Sequence, residues 1–474
     1  MDTKLSRNGY IIKKKDLSCK QIKEIKDELT VKPFTINDFG TGNEKKFSLY
    51  LESPKKLYLP RFYGLEKFGK PTINKIIIGD TININFKGNL RNEQLPIYDI
   101  VNKHIDEKGG GIISLKCGGG KTVLALYTLA QLGLKTIVLV HKDFLMTQWY
   151  DRIQEFIPNA KIGKIQQNTI DIEGKDIVLA MVQSLSMKEY PENTFDSFGT
   201  AVFDECHHLG AEVFHKCMRK VACKNMIGLS ATPNRKDGLK KVFEWYIGDI
   251  CYISKEKNED YVETKIIKYI NDDSKYSNIE LTYQKKPCCP KMINNICNYS
   301  SRTDLIINEI IPLYKVGRCI LILSDRRNHL SEIHKKLKIN KIDSGFYVGG
   351  MKPQELRDSQ EKNIILGTFS MASEGMDIPK LNTIILGSPK SDIVQSVGRI
   401  LREKKESRKF HPLIIDINDE FSIFINQSNK RLKFYNKCNY DINIYQLDGS
   451  FIKYENKKTK KSIKKTLDLE TCLL

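Results

Sequence analysis

Apolar positions fall into three regimes along the chain. In the first, Ser18 and Gln21 have the spacing of a capping box, and Ile22, Ile25 and Leu29 recur at helical intervals, which predicts a short amphipathic helix. After Pro33 the pattern changes to short runs broken by Pro and Gly, so residues 1–85 read as a small accessory domain. From about Leu90 short apolar runs alternate with longer helical segments, at 112–115, 136–140, 177–182, 200–203 and 226–229. Such runs predict buried parallel strands joined by helical crossovers, a doubly wound α/β domain over 86–255. The polar stretch 256–295, with Asp272-Asp273-Ser274 and Pro287-Cys288-Cys289-Pro290, reads as a linker. A second alternating series (319–323, 346–348, 364–366, 383–386, 413–415) predicts another α/β domain over 296–430. Residues 431–474 form an extension carrying Lys457, Lys458, Lys460, Lys461, Lys464 and Lys465. This run reads as a solvated tail, able to bind phosphates without sequence preference.

The first series carries candidate chemistry. The strand at 112–115 leads to Gly118, Gly119 and Gly120, then to Lys121, Thr122 and the apolar helical pattern from Val123. Strand, glycine loop and helix are the context of a phosphate loop: backbone N–H groups close around phosphate oxygens and the helix N-terminus adds its positive dipole end. Lys121 would reach the β- and γ-phosphates and the Thr122 hydroxyl would ligate Mg²⁺. Leu115 departs from the full pattern, which has glycine there. The run 200–203 ends in Asp204-Glu205-Cys206-His207-His208, two carboxylates where parallel sheets place ligands. Asp204 would hold Mg²⁺ in its outer shell and Glu205 would orient and deprotonate the attacking water. Ser230-Ala231-Thr232 follows the next strand. In the second series Gln395, Arg399 and Arg402 share one helical face, and guanidinium groups there could neutralise charge on a transferring phosphoryl group. That series has no phosphate loop.

Composition narrows the partners. Lys+Arg total 77 against 57 Asp+Glu, a net charge of +20, which suits a polyanion. The 12 cysteines include no Cys-x-x-Cys pair and several lie inside apolar runs, so they read as small hydrophobes in a reducing compartment. The polar N-terminus and the lack of any apolar run near the ~20 residues of a membrane span predict an intracellular soluble protein with no membrane partner.

Taken together, the motifs over 90–417 resemble those of the superfamily-two helicases and translocases. Leu90-Arg91-Asn92-Glu93-Gln94 looks like the adenine-reading Q motif, and residues 116–122 look like motif I, whose helicase form tolerates the missing first glycine. Val140-His141-Lys142 with Gln148-Trp149 resembles motif Ia; Asp204-Glu205-Cys206-His207 is similar to a DExH box and Ser230-Ala231-Thr232 to motif III. Ser324-Asp325-Arg326 resembles motif IV, residues 368–377 resemble motif V, and residues 395–402 resemble motif VI. The resemblance implies two RecA-like domains with ATP between them. Gln94 would read adenine; Gly118, Gly119, Gly120, Lys121, Thr122, Gly375 and Asp377 would hold ATP; Thr122 and Asp204 would hold Mg²⁺. Glu205, Gln395, Arg399 and Arg402 would act in hydrolysis, His207 and Gln395 would link ATP state to domain closure, and motifs Ia, IV and V would contact nucleic acid. Residues 230–238 and His208-Leu209-Gly210-Ala211-Glu212 are similar to the branch containing the xeroderma pigmentosum group B helicase and phage repair translocases. The opening, at 29–33 and 59–62, looks like the helicases of large cytoplasmic DNA viruses, whose poxvirus members act in transcript release. The expectation is an ATP-dependent DNA helicase or translocase, monomeric, working with transcription-machinery proteins in the host cytoplasm and virion if viral. The alternatives are an RNA helicase and a non-catalytic nucleic-acid scaffold.

Overall fold

The computed structural model describes residues 2–32, 46–115, 119–206, 211–231, 240–254, 261–374, 376, 378–403 and 405–454. The chain divides into two compact units, residues 1–255 and 256–474.

The first unit is built on an eight-stranded sheet in the order 169–170, 162–166, 177–181, 136–140, 200–203, 225–230, 110–114, 250–253. All its pairings are parallel except that of the short edge strand Thr169–Ile170. The strands Gly110–Ser114, Thr136–Val140, Thr200–Phe203 and Asn225–Ser230 are buried along their whole length, which explains the unbroken apolar runs. Residues 2–75 add a second sheet, in the order 51–52, 56–59, 9–13, 3–6, 73–75. The predicted helix beside it spans Cys19–Glu28, and its capping box is formed by Ser18 and Gln21. This N-terminal part shares one core with the large sheet: Leu5, Tyr10 and Leu57 lie in the same apolar cluster as Phe203, Met218 and Phe243. Arg61 fastens the two together by donating to the carbonyls of Cys223 and Lys224 at 3.2 and 2.8 Å.

The second unit repeats the plan with an eight-stranded sheet in the order 345–347, 364–367, 320–323, 383–386, 413–419, 263–269, 441–445, 451–453. It too is parallel apart from the terminal hairpin. The expected linker over 256–295 is corrected where it is described. Glu263–Tyr269 is an interior strand between 413–419 and 441–445, and Tyr276, Met292 and Ile293 lie in the core of this unit. The extension from 431 is likewise part of the fold as far as Tyr454: the helix Ser422–Lys437 is followed by the strands Asp441–Tyr445 and Phe451–Lys453. The lysine run from Lys457 onward lies outside the described residues. No helix among the described residues is long and apolar enough to cross a membrane.

Candidate active site

In the first unit the sequence-predicted groups converge at the carboxyl ends of the central strands. The strand Gly110–Ser114 leads to Gly119 and Gly120, and the helix Lys121–Leu132 begins at once; Gly118, with residues 116 and 117, lies outside the described residues. Gly120 has a φ of +74°, and a Cβ there would sit 2.5 Å from Gln94 Nε2 and 2.7 Å from Arg91 Nη2. The left-handed backbone favours glycine at 120, and a side chain there would also displace the tips of Gln94 and Arg91. Gln94 is 2% exposed and spends its amide on this loop. Its Nε2 lies 3.3 Å from the carbonyls of both Gly119 and Gly120, and its Oε1 accepts from Arg91 N at 3.1 Å. In this conformation Gln94 shapes the phosphate loop.

Lys121 and Glu205 form an ion pair of 2.6 Å, with side chains 13% and 15% exposed. Glu205 is a non-glycine residue at a φ of +44°. Left-handed backbone is sparsely populated by such residues and recurs at functional sites. Asp204 ends the neighbouring strand: its N–H donates to Leu139 O, and its Oδ1 accepts from Glu205 N at 3.0 Å. Burial, then the adjacent Glu205 charge, raises the Asp204 pKa; Lys121 and the Trp149 indole act the other way. Thr122 is half-buried in the first turn of the helix. Ser230 closes the next strand in register with Ser114, while Thr232 of the third motif and His207 lie outside the described residues.

The donor set suits Mg²⁺ with a polyphosphate: the hard oxygens of Asp204, Glu205 and Thr122 stand beside a cation and a glycine loop.

Sequence reasoning placed Trp149 in motif Ia without a role at this site. The helix Asp143–Phe156 follows the strand 136–140, which neighbours 200–203, and packs on 136–140 and 177–181. Trp149, 1% exposed, donates its indole N–H to Asp204 Oδ2 at 2.9 Å. A signal was available: a tryptophan on the buried stripe of Leu145, Met146 and Ile153 needs an acceptor for its N–H.

The second unit treats its motifs differently. Motif VI is a short helix, Val394–Val397, continued by the 3-10 turn Gly398–Leu401. Arg399 does not share an exposed helical face with Gln395 and Arg402. It is 6% exposed and donates to the carbonyls of Ala372 and Met376 at 2.6 and 2.7 Å, bracing the motif V segment. Gln395 and Arg402 are half-buried; Gly375 and Asp377 lie outside the described residues. Arg326 of motif IV spends its guanidinium on Asp325 O, Pro290 O and Asn294 Oδ1.

Comparison with known proteins agrees with this geometry. Residues 87–235 match the family described as type III restriction enzyme, res subunit, and residues 302–404 match the helicase conserved C-terminal domain. A protein of Acanthamoeba polyphaga mimivirus, provisionally named ATP-dependent RNA helicase L396, is 38% identical over 98% of this chain and 91% of its own. The African swine fever virus protein QP509L, named in the same way, is 26% identical over 74% of each chain. A structure of Saccharomyces cerevisiae Dbp5 bound to RNA and ADP with beryllium fluoride matches in fold. Its TM-score is 0.53 at 14% identity, over 74% of this chain and 89% of that one. Two parallel-sheet units of RecA-like fold, two matched helicase-type domains and a viral relative covered over 91% of its length lead to one assignment: the chain belongs to the superfamily-two helicases, nucleic-acid-dependent ATPases, and is related to viral helicases.

Proposed function

We propose that the chain is an ATP-driven DNA helicase or translocase whose hydrolytic groups are Lys121, Thr122, Asp204 and Glu205. The observation that carries this is the Lys121–Glu205 ion pair beside Asp204 at the carboxyl end of the sheet. Bound ATP with Mg²⁺ supplies the phosphoryl group to be cleaved. Lys121 exchanges Glu205 for phosphate oxygens, and Glu205, so released, accepts the proton of the attacking water. Asp204 would hold the hydrated cation, and Gln94 would read the adenine edge by exchanging its present bonds to Gly119, Gly120 and Arg91. Arg402 acts on the developing phosphoryl charge, Arg399 joins it on leaving the Ala372 and Met376 carbonyls, and Gln395 relays the nucleotide state.

The match to a restriction-enzyme family and the likeness of residues 230–238 to the group B repair branch support DNA. The viral relatives support a viral setting, and the proposal extends to work beside transcription proteins in the host cytoplasm, as a monomer. RNA is the second reading, favoured by the names that the mimivirus and African swine fever virus relatives carry. ATP hydrolysis titrated in parallel with duplex DNA, single-stranded DNA and RNA decides between them. Stimulation by DNA is expected. Stimulation by RNA alone selects the second reading, and no stimulation by any of them overturns the enzyme reading in favour of a scaffold.

A further inference from the structure

Residues 271–299 build a braced arm on the second unit. On one side the short helix Ser274–Ser277 is anchored by Tyr276, 1% exposed, whose hydroxyl donates to Asp419 Oδ1 at 2.7 Å. On the other, the helix Cys289–Asn298 buries Met292, Ile293, Ile296 and Cys297. Between them residues 281–287 form a tight hairpin. Leu281 and Pro287 make an antiparallel bridge, Thr282 N donates to Lys286 O at 2.7 Å, and Lys285 N donates to Thr282 O at 2.9 Å. Just below, Cys288 N donates to Glu280 O at 2.7 Å. The Glu280 carboxylate accepts from Asn278 and from Asn295 of the helix behind, which stiffens the base.

This order serves no burial at the tip. Tyr283 there is 105% exposed, more than any other large apolar side chain among the described residues, and the exposed Lys285 and Lys286 flank it. A rigidly presented aromatic face beside two cations matches the chemistry of a single strand: any base offers a π-face for stacking, and lysines meet the adjoining phosphates. The arm is also bonded to a segment expected to follow nucleic acid. Arg326, of the motif IV stretch, donates to Pro290 O at 2.8 Å and to Asn294 Oδ1, both at the foot of the helix behind the hairpin.

We propose that the 281–287 hairpin is a strand-separating pin, on which Tyr283 stacks against a base of single-stranded nucleic acid while Lys285 and Lys286 hold the neighbouring phosphates. This rests on the helicase reading of the chain. The test uses the full chain with Tyr283→Ala and Tyr283→Trp, on single strands of one sequence made as DNA and as RNA, each carrying 2-aminopurine, and on matched forked duplexes. Tyr283→Ala is expected to bind the preferred strand about tenfold more weakly, the order of effect of one lost stacked base. It should lose the 2-aminopurine quench and unwind the fork at least tenfold more slowly. ATP turnover at saturating nucleic acid and thermal melting should stay at wild-type values, and Tyr283→Trp should restore quench and unwinding. A Tyr283→Ala chain that unwinds and quenches like wild type overturns the pin and leaves the hairpin to a protein partner. A wild-type chain that hydrolyses no ATP with any nucleic acid fails the helicase reading instead, and the quench still decides whether Tyr283 stacks on bases.

Discussion

The two units share a parallel-sheet plan and use its carboxyl end in opposite ways. The first sets there a partly buried ion pair, Lys121 with Glu205 at 13% and 15% exposure, on a left-handed backbone and beside a carboxylate whose pKa is raised. The second encloses its charges. Arg302 and Asp419 are both 0% exposed at 2.7 Å, and Arg431 pairs with Asp416 at 2.8 Å with 2% and 1% exposure. Tyr276 and Tyr435 donate to those same two carboxylates, and Arg302 also donates to Gly387 O. A partly buried pair such as Lys121–Glu205 can still exchange its carboxylate for a polyphosphate, which offers the lysine more charge. Opening an enclosed pair leaves a buried charge, a cost of about 3–5 kcal/mol. The first unit therefore keeps its charges available for ligand, and the second spends them on holding its loops.

Lys121→Ala breaks the comparison most directly. It should abolish measurable ATP hydrolysis while nucleic-acid binding stays near wild type and melting falls by less than for an enclosed pair, since Glu205 keeps some contact with water. Loss of binding in the folded variant, or a fall in melting as large as that of an enclosed pair, would make Lys121 structural. Next come the motif VI arginines. Arg402→Ala should lower kcat by roughly 10³-fold or more, as for an arginine that meets transition-state charge, with melting unchanged. Arg399→Ala should lose comparable activity and also melt earlier, because the carbonyls of Ala372 and Met376 lose their donors. Identical melting of the two variants would refute the bracing role of Arg399.

Arg302→Ala sharpens the same contrast from the other side. It strands Asp419 in the core and should destabilise the second unit by about 3–5 kcal/mol in a urea titration. Replacing both partners by apolar residues should recover part of that loss. A single substitution that leaves the urea midpoint in place would show that water reaches the pair.

The strand series in both units was legible because a strand buried on both faces reads as an unbroken apolar run, and the turn into the helix Lys121–Leu132 because Gly120 has a left-handed backbone. Glu263–Tyr269 escaped because Glu263, Lys265 and Lys268 interrupt its apolar residues although it lies inside the sheet. Lys265 finds Glu309 at 2.7 Å and Lys268 finds Glu420 at 3.8 Å, partners far away in sequence. Asp416 held a usable hint: an acid inside the run 413–417 demands a buried cation, yet nothing local names Arg431. Motif VI shows the opposite limit. Its residues were found, but the 3-10 turn that buries Arg399 depends on carbonyls of a segment more than twenty residues earlier.

The smallest effect tests whether the first unit's availability is itself organised. Trp149 donates its indole N–H to one Asp204 carboxylate oxygen from a fully buried position. A hydrogen bond to a charged group contributes about 1.5–3 kcal/mol, so Trp149→Phe, which keeps most of the packing, should raise the Mg²⁺ concentration for half-maximal ATP turnover by about tenfold. A purely structural tryptophan would lower melting without moving that concentration. The chain has 2 tryptophans, Trp149 and Trp245, so Trp245→Phe leaves Trp149 as the only indole emitter. Its emission should change when Mg²⁺ and ATP are added together, because cation and indole share the same carboxylate. An unmoved Mg²⁺ requirement in Trp149→Phe, together with silent Trp149 emission, would mean that Asp204 is oriented by its strand alone.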